Sequence, residues 1–380
     1  MDLSLSDEQA MLQDSVAKFV QDHYSLDQRR ELVAGELGYS RDHWKIFSDL
    51  GWLLIPFAED DGGLGGSSVE VMLLMEQFGK GLVVEPYLAT VILAGGLLGR
   101  LASGAQRERY LQPLMRGERQ AAFGYAEPQA RFNAADVTVR AVKGNEGNAD
   151  GWVIGGHKAV VLNAPSADFL IVSARTSGES REPRGISLFV VECDTPGVEI
   201  RDYPTMDGFR AGEVHLHDVR VGREALLGEV GEAWPAIEAV MDEATLGVGA
   251  EAVGCMEVLY KETVEYCKQR QQFGQPLSNF QVLQHRMVDM YIEYEQTKSL
   301  MFMAALRLGE GPDDAGKKAV SAFKAQVGKG GAFVGRNAVQ LHGAMGMTDE
   351  LGIGHYFKRL TAIEILFGDT DHHLQRFGSL

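Results

Sequence analysis

The hydrophobic period of this chain changes twice along its 380 residues, from helical to strand-like and back to helical. That limits the chain to a small sheet domain inserted between two helical regions. Up to residue 119 apolar residues recur at helical spacing. Ser6-Asp7-Glu8-Gln9 is a capped helix start, with Met11, Val16, Phe19 and Val20 expected on one face. A turn-rich break follows at residues 51–66, and helical spacing resumes through Val71, Leu74, Met75 and Phe78.

Between residues 120 and 230 short apolar runs alternate with turn pairs: Asp150-Gly151, Gly155-Gly156, Asn163-Ala164 and Pro183-Arg184-Gly185. Residues 186–191 and 214–219 fit strands. From residue 231 to 380 the helical period returns, with Ala252, Met256, Leu259 and Tyr266 on one helix. Leu283, Met287, Met290, Tyr294, Met301, Ala305 and Leu308 mark a second, and Val320, Phe323, Val327 and Val334 a third. The predicted fold is α+β, mainly α: a helical domain over 1–119, a barrel-like β domain over 120–230, and a four-helix bundle over 231–380.

A formal charge of −17 argues against a nucleic-acid backbone or an anionic membrane as partner. The acidic start, Met1 to Gln9, lacks the basic-then-apolar layout of a signal peptide. No apolar run reaches the length of a membrane span. Cys193, Cys255 and Cys267 have neither metal-ligand nor redox spacing and read as reduced packing residues, which suits the cytoplasm.

Three clusters offer chemistry. Arg270-Gln271-Gln272-Phe273-Gly274 lies in the turn between two long helical patterns. Its guanidinium suits a diphosphate, and its aromatic ring and carboxamide suit an adenine. A plain helix connection is the competing reading. Gln340-Leu341-His342-Gly343 combines an amide with a residue that lets a backbone approach a ligand, although a glycine-terminated helix gives the same pattern. The tail Phe367-Gly368-Asp369-Thr370-Asp371-His372-His373 has poor metal-ligand spacing, and its histidines read as solvated surface residues. His215 and His217 read as an exposed strand face.

Taken in order, Glu127-Pro128, Gly156-His157-Lys158, Asn163, Ala167-Asp168, Arg270-x-Gln272-Phe273-Gly274 and Gln340-x-x-Gly343 resemble the acyl-CoA dehydrogenase family over essentially the whole chain. The resemblance implies FAD held between the middle and C-terminal domains, partly by a neighbouring subunit, and an acyl-CoA substrate dehydrogenated at its α and β carbons. It implies electrons passing to an electron-transferring flavoprotein. Arg270, Gln272 and Phe273 would hold the diphosphate and adenine end of a neighbour's FAD, with Gln340, Gly343 and Thr370 as further cofactor contacts.

The departures from the family pattern are specific. Gly368 stands where the family's Tyr-Glu-Gly-Thr carries its catalytic glutamate. The alternative base position, on the first helix of the bundle, falls on Ala244, next to Glu243. Ala126 replaces a threonine before Glu-Pro, Arg131-Phe132-Asn133 replaces Gly-Ser-Asp, and Val160-Val161-Leu162 replaces Trp-Ile-Thr. This pattern, with Gly81-Leu82-Val83-Val84-Glu85-Pro86-Tyr87-Leu88-Ala89-Thr90 and the tail, resembles the small subunit of pimeloyl-CoA dehydrogenase and related heteromeric enzymes. A larger dehydrogenase subunit would then supply the base and the flavin face. Two alternatives stand beside it: a self-sufficient homomeric dehydrogenase using Glu243 or Asp369 as base, and a non-catalytic scaffold that binds acyl-CoA or FAD.

Overall fold

In the computed structural model, residues 5–144, 151–311 and 313–380 are described. Met1–Ser4 and Asp150, which belong to two of the segments read above, lie outside them. In chain order the helices are α1 (Asp7–His23), α2 (Leu26–Ala34), α3 (Arg41–Asp49) and α4 (Ser68–Gly81), then a π-helix (Leu88–Gly95) continuing into α5 (Gly96–Leu101), followed by α6 (Gly104–Gln106) and α7 (Gln112–Met115). Strands β1 (Ala121–Gly124), β2 (Arg140–Lys143), β3 (Trp152–Leu162), β4 (Phe169–Arg175), β5 (Ile186–Glu192), β6 (Val198–Pro204), β7 (Arg210–Val221) and β8 (Leu226–Leu227) come next. Then α8 (Trp234–Gln269), the short strands β9 (Gln271–Gln272) and β10 (Gln275–Pro276), α9 (Gln281–Gly309), α10 (Asp314–His342), α11 (Ile353–Ile365) and α12 (Thr370–Ser379) complete the chain. No described helix is long and apolar enough to cross a membrane.

Two compact units form. The first combines the described part of 1–31 with 67–83 and 245–380. The N-terminal helical zone is thus shared between units, because α4 packs against α9 and α1 packs against α4. Ser6 caps α1 reciprocally with Gln9, as its spacing predicts. Val16 and Phe19 are buried, but Met11 is 72% exposed. Five residues at 100° each place Met11 about 140° away from Val16, off the apolar stripe. Helices α4 and α8 cross at backbone contact: a Cβ on Gly79 would overlap the Glu251 carbonyl, and one on Gly254 the Glu76 carbonyl. Beside this crossing Arg359 grips Glu251 through two parallel bonds of 2.6 Å, both residues being buried.

The second unit combines residues 32–66 and 84–244 and contains the eight-stranded sheet. Its strands run in the order β6-β7-β3-β2-β4-β5-β8, and β1 adds in parallel to β4. Every residue of β4, Phe-Leu-Ile-Val-Ser-Ala-Arg, is buried, as an apolar run covered on both faces requires. The expected Gly155-Gly156 turn is not one: both residues lie inside β3, where the pairing with β7 shifts register between Ile154 and Gly156. Gly156 takes φ +142° with its Cα facing Val139, so the glycine serves a bulge instead. The buried Thr90 hydroxyl donates to Ala121 O at 3.0 Å and fixes the π-helix against β1. Glu85 accepts from Ser40 N at 3.4 Å and bonds His43 Nδ1 at 3.0 Å, while the Tyr87 hydroxyl donates to Trp52 O. The Glu-Pro-Tyr phrase therefore anchors α3 and the turn after it.

Candidate active site

The Arg270 segment is more than a helix connection. Strands β9 and β10 pair antiparallel with Gln272 opposite Gln275, leaving Phe273-Gly274 as a two-residue hairpin turn. Both turn residues have positive φ, +53° and +80°, as a type I′ turn demands. Glycine accepts this without cost, whereas phenylalanine does not. Phe273 is moreover 91% exposed, with only Phe280 edge-on at 6.1 Å. A large apolar ring is thus held exposed in a strained turn.

The second cluster lies at the same end of the bundle. Tyr266, whose carbonyl accepts from Arg270 N, stacks on His342 at 4.3 Å. That contact ties the end of α8, where Arg270 begins, to the end of α10, where Gln340 is exposed. Gly343 ends α10 with φ +61°, and a Cβ there would meet open space. It is a helix terminus and also an unobstructed backbone surface.

Thr370 does not join this group. It packs against Gly328, twelve residues before Gln340 on α10, which at 1.5 Å per residue is about 18 Å away. Its N–H and hydroxyl donate to Glu364 Oε1 at 3.1 and 2.8 Å. Asp369 caps α12, accepting from His372 N at 2.8 Å. Gly368 has φ +116°, and a Cβ built on it overlaps His372 Cδ2 and falls 2.9 Å from His373 Nε2. The two histidines fill the space a side chain at position 368 would need.

The surface reading of the tail fails for His373, which is 2% exposed. Its ring turns back over the loop and Nε2 bonds Phe367 O at 3.1 Å, because α12 starts at Thr370 and packs along α10. Burial pushes its pKa down to about 3, with the Lys324 ammonium adding to the effect. Lys324 was silent in the sequence. It is fully buried on α10, and Nζ donates to Gly368 O at 2.6 Å and Glu364 O at 3.1 Å. Burial lowers its pKa to about 8, against the pull of Glu364 and Asp369.

Glu243 belongs to the other unit, where Arg100 pairs with it. Burial raises its carboxyl pKa, and Arg100 opposes that rise.

The middle domain keeps a buried ion pair. Lys158 Nζ donates to Glu127 Oε1 at 2.7 Å and to Ser173 Oγ at 2.9 Å, and both charged side chains are fully enclosed. Burial pushes the Glu127 carboxyl up, but Lys158 and the Thr138 hydroxyl outweigh it and hold the pKa below its ordinary value. Around this pair the departures have visible consequences. Arg131 adopts φ +52°, a left-handed conformation that favours glycine. Val160 has φ +50° and is 49% exposed on its strand. Ala126 offers only its carbonyl, which accepts from Ala159 N at 2.9 Å. Side-chain hydroxyls are absent from positions 126 and 160–162, so these positions present no side-chain donor.

Comparison with known proteins decides the family. Residues 6–118 match the acyl-CoA dehydrogenase N-terminal domain, 122–219 its middle domain and 231–378 its C-terminal domain. A short-chain-specific acyl-CoA dehydrogenase of Megasphaera elsdenii is 30% identical over 335 residues, covering 85% of each chain. The chain belongs to the acyl-CoA dehydrogenase family. Within that family the fold resembles the ChsE4–ChsE5 complex of Mycobacterium tuberculosis, with a TM-score of 0.88, 25% identity and coverage of 100% of this chain and 98% of that one. A solved FAD complex of PigA superposes with a TM-score of 0.91 at 25% identity, over 100% of this chain and 98% of that one.

Proposed function

We propose that this member of the family is one subunit of a two-component, FAD-dependent acyl-CoA dehydrogenase, and that it lends Arg270, Gln272 and Phe273 to a flavin site completed by a larger partner. The observation that carries the reading is the filled space at Gly368. With His372 and His373 against its Cα, this loop has no room for a base side chain. Asp369 and Glu243 are already committed, one to a helix cap and the other to Arg100.

FAD supplies the hydride acceptor when bound, and this chain's residues fit only part of it. Arg270 provides a forked permanent cation for the diphosphate, Gln272 an amide for the adenine, and the exposed Phe273 ring a face to stack on. Gln340 and Gly343 lie at the same end of the bundle as open contact positions. The ring-facing positions Ala126 and Val160–Leu162 lack donors, so the isoalloxazine edge would be held by the partner. An assembly of two differently named components among the structural relatives supports this arrangement, as does the resemblance of residues 81–90 and the tail to the small subunit of pimeloyl-CoA dehydrogenase. The acyl-CoA thioester would be oxidised in the partner-completed site, with electrons passed to an electron-transferring flavoprotein.

Purification of the chain alone and with a glutamate-bearing larger homologue tests the proposal. The lone chain is expected flavin-poor and inactive, and the pair flavin-loaded and active. Arg270→Ala in the pair should lower flavin content without altering the fold. Full flavin loading and acyl-CoA oxidation by the lone chain would sink it.

A further inference from the structure

Helix α9 carries a row of exposed residues whose spacing is the same read from either end. Gln281, His285, Val288, Ile292, Glu295 and Ser299 follow one another at intervals of 4, 3, 4, 3 and 4, and all six are exposed. At 100° per residue they fall within an arc of about 80°, turned away from the buried row Met287, Met290, Tyr294 and Met301. An alternation of three and four is the seam along which one helix packs on another.

The apolar members of the row stand at its centre. Val288 is 54% exposed and Ile292 43%. Both are β-branched, with lower helix propensity than alanine, so on a watered face neither serves the helix itself. Tyr291 flanks them, resting edge-on against Tyr260 of α8 at 5.5 Å. An apolar centre inside a polar rim is the layout of a protein interface. The side chains are also arranged symmetrically about Met290: Val288 and Ile292 lie two residues either side of it, His285 and Glu295 five, and Gln281 and Ser299 nine. His285 forms no ion pair among the described residues, and Glu295 accepts from the Tyr291 hydroxyl one turn earlier.

We propose that α9 is the contact between two copies of this chain, packed antiparallel about a two-fold axis at Met290. Val288 of each copy then meets Ile292 of the other, and His285 of each copy meets Glu295 of the other. Such a contact is isologous, each copy supplying the charge its mate lacks. The symmetry selects the occupant, because a different protein would not require the row to read alike from both ends. One helix crossing is a small contact, so the dissociation constant should be on the order of micromolar rather than nanomolar. The contact is independent of the flavin reading, since it uses none of Arg270, Gln272, Phe273, Gln340 or Gly343.

Sedimentation velocity of the full chain from about 1 to about 100 μM tests it, and a monomer–dimer equilibrium is expected across that range. Val288→Asp puts a carboxylate into the apolar centre and should weaken the dimer at least about a hundredfold, with the far-UV spectrum unchanged. His285→Glu sets like charges against each other and should weaken it by about tenfold, as should Glu295→Lys. An equimolar mixture of those two single variants should dimerise as well as wild type, because the charges are then opposite at both ends of the seam. A lone chain that stays monomeric at the highest concentration overturns the contact, including the case in which only a larger partner covers the row. Wild-type affinity in Val288→Asp overturns it too, and a mixture no tighter than its components overturns the two-fold register. None of these readings involves flavin content, so they stand apart from the test of the flavin site.

Discussion

Lys324 Nζ donates to the carbonyl oxygen of Gly368 at 2.6 Å, from α10 to the loop that precedes α12. The same ammonium donates to Glu364 O, so one buried cation serves a carbonyl at the end of α11 and one in the loop after it. Together with the Glu364–Thr370 and His373–Phe367 bonds it holds residues 366–370 in one conformation. Lys324→Met should leave both carbonyls without that donor and cost about 2–4 kcal/mol. Urea denaturation of the variant measures this, and a loss under 0.5 kcal/mol would remove Lys324 from the role.

Introducing a carboxylate by Gly368→Glu is expected to fail. The backbone there has φ +116°, and the new Cβ meets His372 and His373. Gly368→Ala should already destabilise by about 2–4 kcal/mol from overlap and backbone strain. Adding His372→Ala should recover part of that loss, because it removes the closest obstacle. The comparison needs only denaturant midpoints, and an undamaged Gly368→Ala would refute it.

Asp369→Asn offers a clean separation of capping from catalysis. Asparagine caps a helix about as well as aspartate, so α12 should keep its stability within about 0.5 kcal/mol. If Asp369 is only a cap, acyl-CoA oxidation by the assembled enzyme is unchanged. Glu243→Gln should behave likewise. A hundredfold fall in kcat in either variant would identify a base and revive the self-sufficient reading.

Stability should fall in acid partly through His373. Its folded pKa is near 3 and its ordinary value near 6.5, so between those pH values the unfolded chain binds the extra proton. Stability from this group is complete above about pH 6.5 and is lost as pH falls toward 3. The difference is on the order of 5 kcal/mol, at about 1.4 kcal/mol per unit. His373→Gln, which can still donate to Phe367 O, should flatten that part of the Tm-against-pH curve. An unchanged slope would show that His373 binds its proton equally in the folded and unfolded chain.

Hydrophobic period made the helical and sheet regions legible, because burial on one face writes itself into spacing. The hairpin residues Arg270 to Gly274 were legible as a chemical set, and their strained turn explains why they protrude. The buried cations were not legible. A lysine at position 324 of a helix looks like solvent-facing charge, since the carbonyls it serves come from the end of α11 and the loop after it, 40 and 44 residues later. His373 was misread for the same reason: its burial depends on α12 folding back onto α10, a tertiary event with no local signal. Gly155-Gly156 looked like a turn because a bulge and a turn both call for glycine.

The Arg359–Glu251 pair provides the last test, because its energy depends on which partner is removed. Both side chains are about 3% exposed and joined by two bonds of 2.6 Å. Glu251→Ala takes this carboxylate away from a buried guanidinium and should cost about 3–5 kcal/mol. Arg359→Met with Glu251→Leu removes both charges and keeps much of the volume, so it should cost far less, within about 1 kcal/mol of wild type. A double variant as unstable as the single one would mean that the pair contributes net stability rather than a mutual cancellation of desolvation. Denaturant titration of the two variants and the wild type decides between these outcomes, and the Gly79–Gly254 crossing beside the pair gives the comparison a fixed frame.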